Sequence, residues 1–357
     1  MSSLLNKQNV KKVGIRAAGT LSIPLAFVVV LLIVCASNGK TLIGNEIEFN
    51  TFMINVAVIM CTTIALSINL GSGRFDFSLG SMATLSSIIA AKISYSAGGG
   101  NTNAFFMIFL CLVVGAVLGL ISGGLYVLLK IPPIITSLGV TLIYEGISYV
   151  ITEGTYLTKE PYSDSMVTAG SNWWITLLIV LAVLAIIYVV FDHTKFGREY
   201  RSLKEGQNIS VNTGIKEIPN ALICYSVCGA LMGIVGFLRA ANTHMIGGSQ
   251  LNFGSISLMF TAFLPMFIGG FIGRFSNDKL GYFLAAICMA LINSMFLQFT
   301  NELTQASTSI INAVLLVAFL IFLNNEQTCK DLVTGKLFKK WWAKFKDRKA
   351  KMAENKQ

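Results

Sequence analysis

The sequence predicts an all-α, polytopic membrane protein with about ten transmembrane helices, some of them short or broken. Three observations carry that prediction. Of 357 residues, 54% are hydrophobic and only 12% charged, about half the charged share of an ordinary soluble domain. Apolar runs near the roughly 20 residues that cross a bilayer recur along the chain. The basic excess sits at the two ends: residues 1–16 hold four basic and no acidic side chains, and residues 324–357 hold ten basic against four acidic, which accounts for the whole net charge of +10. This pattern excludes a soluble two-domain protein, a disordered chain and a disulfide-built scaffold. It also argues against nucleic acid as a partner, because the charge flanks membrane spans.

The predicted spans follow in order. Residues 18–36 lie too deep, and lack the small-residue cleavage site, for a signal peptide. Residues 51–70 lead into an irregular stretch, 70–81 (LGSGRFDFSLGS), that carries three glycines, Arg74 and Asp76. The next spans are 77–97, 105–129 and 132–152. The last of these opens on Pro132-Pro133, tolerated where first-turn N–H groups are unpaired anyway. Then come 173–191, 219–239, 254–273, 280–299 and 305–323. Broken helices at membrane depth line a cavity or a protein interface. The run 337–352 interleaves Trp341, Trp342 and Phe345 with lysines, and is expected to lie on the inner leaflet as a topology anchor and bind anionic lipid.

Basic flanks stay in the cytoplasm. An even span count then places both termini inside. The resulting outside connections, 37–50, 98–104, 153–172, 240–253 and 300–304, include none that is net basic. The inside ones carry Arg74, Lys130, Arg274 and Lys279, and residues 192–218 carry Lys195, Arg198, Arg201, Lys204 and Lys216. The chain therefore reads as a basic cytoplasmic tail (1–17), a transmembrane domain (18–323) and a second basic, amphipathic cytoplasmic tail (324–357).

Chemistry is sparse. Gly39-Lys40-Thr41 lacks the glycine five positions earlier that a phosphate loop needs. No HExxH, nucleophile elbow or CxxC occurs. No catalytic group, metal site or bound cofactor is expected. The seven cysteines lie mostly in or beside apolar runs and read as membrane-packed thiols. Polar groups at membrane depth are the remaining clue. Asp76 precedes Ser78 and a new helix, where a carboxylate caps free N–H groups; Ser81 follows. Thr141, Glu145 and Ser148 share one helical face, with Thr136, Ser137 and Tyr144 nearby. Asn293 lies in the ninth span. Asp76, Ser78, Ser81, Thr136, Ser137, Thr141, Glu145 and Asn293 are the candidate substrate-pathway residues, and each also suits a helix–helix hydrogen bond.

Three segments resemble the membrane-spanning permease subunit of bacterial ATP-binding-cassette importers, in the ribose and simple-sugar branch of the branched-chain amino acid permease superfamily. Gly73-Arg74-Phe75-Asp76-Phe77-Ser78-Leu79-Gly80-Ser81 is similar to the family's Gly-Gly-Ile-Asp-Leu-Ser-Val-Gly-Ser. Lys130-Ile131-Pro132-Pro133-Ile134-Ile135-Thr136-Ser137-Leu138-Gly139 is similar to Pro-Phe-Ile-x-Thr-Leu-Gly. The third runs from Phe196-Gly197-Arg198 to Thr213-Gly214-Ile215. The chain departs from the family at Lys204-Glu205-Gly206, at Glu145 where Arg is usual, and in the reduced glycine stretch 268–273.

The resemblance implies a non-enzymatic transport subunit of the bacterial inner membrane, working in a homodimer or a heterodimer with a related permease. Its partners would be cytoplasmic ATP-binding subunits, which hold the ATP and Mg²⁺, and an extracytoplasmic solute-binding protein. The third segment would dock on the ATPase through Gly197, Arg198, Glu199, Arg201, Gly206 and Gly214. The expected cargo is a monosaccharide. Nucleoside, autoinducer-like furanose and branched-chain amino acid are alternatives within the family, and the acid at Glu145 raises a cationic cargo. Outside the family, an ion-coupled secondary transporter would use Glu145 and Asp76.

Overall fold

The computed structural model describes residues 2–98, 103–157, 172–248, 250–299 and 305–325. The basic run 337–352 lies outside them. Two compact units emerge, 1–303 and 304–357. The second contributes, among the described residues, one helix, Gln305–Asn324. The rest concerns the first unit.

Its helices are α1 (Ser2–Ser37), α2 (Glu46–Gly71), α3 (Leu79–Ala97), α4 (Ala104–Leu129) and α5 (Pro133–Thr152). Helix α6 (Trp173–Tyr188) continues as a π-helical turn, Val189–His193. Two short helices follow, α7 (Lys195–Glu205) and α8 (Gln207–Asn212), then the long α9 (Glu217–Thr243). Helices α10 (Ile256–Phe260), α11 (Phe263–Gly273) and α12 (Asp278–Gln298) complete the unit. The strands β1 (Tyr156–Leu157) and β2 (Ile246–Gly247) pair antiparallel, Tyr156 opposite Gly247 and Leu157 opposite Ile246.

All ten predicted apolar runs fold as helix, and eight helices among the described residues are long and apolar enough to cross a membrane. Helix α3 falls short in hydropathy for a physical reason. Its buried faces carry Ser81, Ser86, Ser87 and Ser94, because it packs among α4, α5 and α9. The starts are set by short polar side chains accepting from free N–H groups: Asn45 from Glu48, Asn103 from Phe105 and Phe106, Asn172 from Trp174, and Asn277 from Lys279.

The predicted span 254–273 is broken rather than continuous. Its two pieces, α10 and α11, meet at Thr261–Ala262. Pro265 explains the position: it has no N–H to offer the carbonyl four residues back, that of Thr261, and its ring crowds that carbonyl.

Helix α9 forms the core, packing on α4, α2 and α3. Of its membrane-length stretch 72% is buried, against 22% for α1. The α4–α9 contact is made by glycines. A Cβ at Gly115 or Gly119 would strike the carbonyls of Gly229 or Tyr225, and one at Gly229 or Gly233 those of Gly115 or Cys111. In a bilayer, close backbone approach supplies the attraction that hydrophobic burial supplies in water. The six described cysteines are free thiols and buried.

Candidate functional site

Most of the polar candidates converge where α3, α5 and the segment before α10 meet. Asp76 is fully buried, and its Oδ1 accepts from the Ser78 amide at 2.8 Å and the Ser78 hydroxyl at 2.6 Å. The carboxylate thus fixes the turn that leads into α3 by holding its N-cap residue, Ser78. The Ser78 hydroxyl lies 3.4 Å from that of Ser122 on α4, and Ser81 donates back to the Ser78 carbonyl.

Glu145, also buried, reaches across from α5 to the turn before α10. Its Oε2 accepts from the Phe253 amide at 2.9 Å, and its Oε1 accepts from the Ser255 amide at 2.9 Å and the Ser255 hydroxyl at 2.6 Å. That turn is strained: Asn252 and Phe253 are consecutive non-glycine residues at φ of 56° and 66°. A bulky residue held in the left-handed region persists only where its surroundings enforce it. Glu145 supplies that enforcement. The turn also presses on α3, where a Cβ at Gly80 would strike the Ser255 carbonyl. Asp76, Gly80, Glu145 and Ser255 therefore belong to one packed junction.

On α5 the hydroxyls turn back on their own helix. Thr136 donates to Pro132, Ser137 to Ile134, Thr141 to Ser137 and Ser148 to Tyr144, while Tyr144 donates across to the Leu118 carbonyl of α4 at 2.7 Å. Asn293 stands apart on α12, half-buried, with α11, α2 and α1 as that helix's main neighbours. None of these eight residues lines either of two cavities, of about 490 and 270 Å³.

The stretch 192–218 is helical. Helix α7 buries Gly197, Tyr200 and Leu203 and exposes Lys195, Arg198, Arg201 and Lys204. Gly197 is required sterically, since a Cβ there would collide with the Phe191 backbone. Gly214 takes φ +93° in the turn after α8, where other residues are strained. Gly206, at φ −174°, is ordinary extended backbone between the two helices.

This segment is tied to the bundle at three places. The Tyr200 hydroxyl donates to the Ile68 carbonyl of α2 at 3.1 Å, and burial pushes its phenol well up, so it remains a donor. Arg74 pairs with Glu217 at 3.0 Å, and the Gln207 amide donates to the same carboxylate oxygen at 2.6 Å. Asp192 pairs with Lys279, and Lys204 lies 4.0 Å from Asp278 at the start of α12. Glu199 pairs locally with Lys195 at 3.7 Å. Ile209 and Val211 on α8 are exposed, as are Arg198 and Arg201 on α7.

Sequence reasoning missed Ser255 and Arg239. Ser255 is a hundred residues from its partner. Arg239 is an exposed cation four residues from the end of the α9 helix, at the edge of an otherwise apolar span.

Residues 50–323 match the family model described as branched-chain amino acid transport system / permease component. The chain is 22% identical over 316 residues to the fructose import permease protein FruG of Bifidobacterium longum, covering 84% of this chain and 90% of that one. It is 25% identical over 245 residues to the autoinducer 2 import system permease protein LsrC of Photorhabdus luminescens, covering 66% and 70%. It is 22% identical over 256 residues to the galactofuranose transporter permease protein YtfT of Escherichia coli, covering 71% and 72%. No solved structure matches the chain.

Proposed function

From the fact that this chain belongs to the branched-chain amino acid transport system / permease component family, we propose that it is the membrane-spanning subunit of an ATP-driven importer for a monosaccharide-type solute. It resides in the bacterial inner membrane with both termini cytoplasmic. The relatives named for fructose, galactofuranose and autoinducer 2 support the cargo class. The chain forms the pathway with a second permease copy or a related subunit. A solute-binding protein delivers cargo from outside. Two ATPase chains hold ATP and Mg²⁺, and this chain holds no cofactor of its own. The basic C-terminal run binds anionic lipid.

The observation that carries this reading is the three-point attachment of α7–α8. A displacement of this segment by a partner is passed to the C-terminal end of α2 through Tyr200, to the N-terminal end of α9 through Gln207 and to the start of α12 through Lys204. Energy coupling requires a contact whose free energy differs between two conformations. Exposed Arg198 on α7 and exposed Ile209 on α8 offer such contacts on the partner side. Asp76 and Glu145 act in this scheme as holders of the α3–α5–α10 junction that borders the pathway.

The test is purification from native membranes in mild detergent. A stoichiometric ATPase is expected with the wild-type chain. Changing Arg198 and Glu199 together is expected to release it and to abolish uptake, while the chain still assembles. Uptake by the chain alone in ion-loaded liposomes without ATP would overturn the reading.

A further inference from the structure

At the end of α9 opposite α7–α8, a cavity of about 270 Å³ opens between α3, α9 and the β1–β2 pair. It lies just below the roughly 300–1,000 Å³ typical of pockets for drug-sized ligands, a size for one sugar ring rather than an oligosaccharide. Among the described residues, Arg239 supplies its one formal charge and no carboxylate lines it. Among the described residues, no hydrogen bond or ion pair engages the Arg239 guanidinium or the Gln250 amide. A cation in a membrane-spanning helix is costly unless it faces water or a partner, and here it faces the cavity. Thr84, Ser87 and Thr243 bring hydroxyls whose protons are given to backbone carbonyls, so what they show the cavity is acceptor oxygen. Tyr156, 56% exposed, brings a ring packed across Gly247.

We propose that this cavity is a binding stop for a monosaccharide on the translocation path, with Arg239 directing its planar fork at two adjacent oxygens of the solute. The guanidinium matches paired acceptors, whether a carboxylate or a vicinal diol. Gln250 and the hydroxyls serve the remaining oxygens, and Tyr156 covers an apolar ring face. The described lining holds a cation and no carboxylate, which selects against a cationic cargo at this stop. Glu145 does not supply one, because its oxygens are occupied by the turn at 253–255.

The inference rests on the importer reading but is tested without the ATPase. Met245 lines the cavity and is 45% exposed. Met245→Cys, in a full-length Cys329→Ser chain in lipid nanodiscs, reports the cavity by its rate of alkylation with a fluorescent maleimide. D-Fructose, D-galactose and D-galacturonate are the probes. At least one is expected to slow alkylation saturably. Arg239→Gln is expected to raise the half-protecting concentration about tenfold or more, the loss of a charged hydrogen bond. Protection by galacturonate at lower concentration than galactose assigns the paired oxygens to a carboxylate, and the reverse order assigns them to a diol. No protection by any probe, or unchanged protection in Arg239→Gln, overturns the proposal. Should Arg239→Gln not fold, Arg239→Lys decides on the same criterion: an unshifted half-protecting concentration overturns it. Protection found together with ATP-independent uptake would leave this stop standing and remove the importer reading.

Discussion

Glu145 stands out in the sequence as an acid inside a span, and three roles fit it there: proton carrier, cargo contact, or structural acceptor. The structure shows it accepting three hydrogen bonds from residues 108 and 110 positions away, holding two left-handed residues in place. No local pattern reports a partner at that separation, so the anomaly was legible and its meaning was not. Glu145→Gln keeps the shape but turns an NH₂ group toward a buried N–H. That mismatch costs about 1–3 kcal/mol, and the strained turn then relaxes. The thermal unfolding midpoint in detergent is expected to fall, and uptake to fall for neutral and charged solutes alike. Normal stability with altered pH dependence of uptake would instead mark Glu145 as a proton carrier.

Among the elements, length and hydropathy placed the membrane-length stretches within about five residues, because a bilayer imposes both, but they did not show the first helix running back to Ser2 or the two helices within 192–218. What they missed was interruption. Pro265 lay in view, yet the apolar composition around it read as a single span. The glycines of α4 were also visible, but their partners on α9 are more than a hundred residues away. Their steric role gives a matched comparison on one helix pair. Gly229→Leu drives a side chain into the Gly115 carbonyl, whereas a Cβ at Gly124 of α4 meets no atom within 4 Å. Overpacking of this kind costs about 1–3 kcal/mol. Gly229→Leu is expected to lower the yield of folded, monodisperse protein in size-exclusion chromatography; Gly124→Leu is expected to leave it unchanged. Equal behaviour of the two would mean that the α4–α9 contact is not held by glycine packing.

For the molecule as a whole, loop charges sorted the connections into two sides, and contacts sort them the same way. Glu48 bonds to Gln298 at 2.9 Å, and residue 156 pairs with residue 247. On the other side Arg74 bonds to Glu217, and Lys204 approaches Asp278. Each pair is separated by an even number of membrane crossings. Contacts fix which connections share a side, whereas the charge rule alone fixes which side is cytoplasmic. An impermeant maleimide should therefore label Met245→Cys on intact cells and Ile209→Cys only after permeabilisation, both positions being exposed. The opposite result would invert the topology and take the ATPase-facing surface with it.

The β1–β2 pair also sets a schedule for synthesis. Tyr156 leaves the ribosome about ninety residues before Gly247, an interval of roughly 5–20 s at about 5–20 residues per second. During that time α6 and α9 must both enter the membrane before the two strands can meet. The cavity they border needs residues 84, 156, 239 and 250 together. A chain halted before residue 246 would thus own Thr84, Tyr156 and Arg239 but neither the second strand nor Gln250 that completes the enclosure, which makes the pair a late checkpoint on whether the preceding helices were threaded in the right direction.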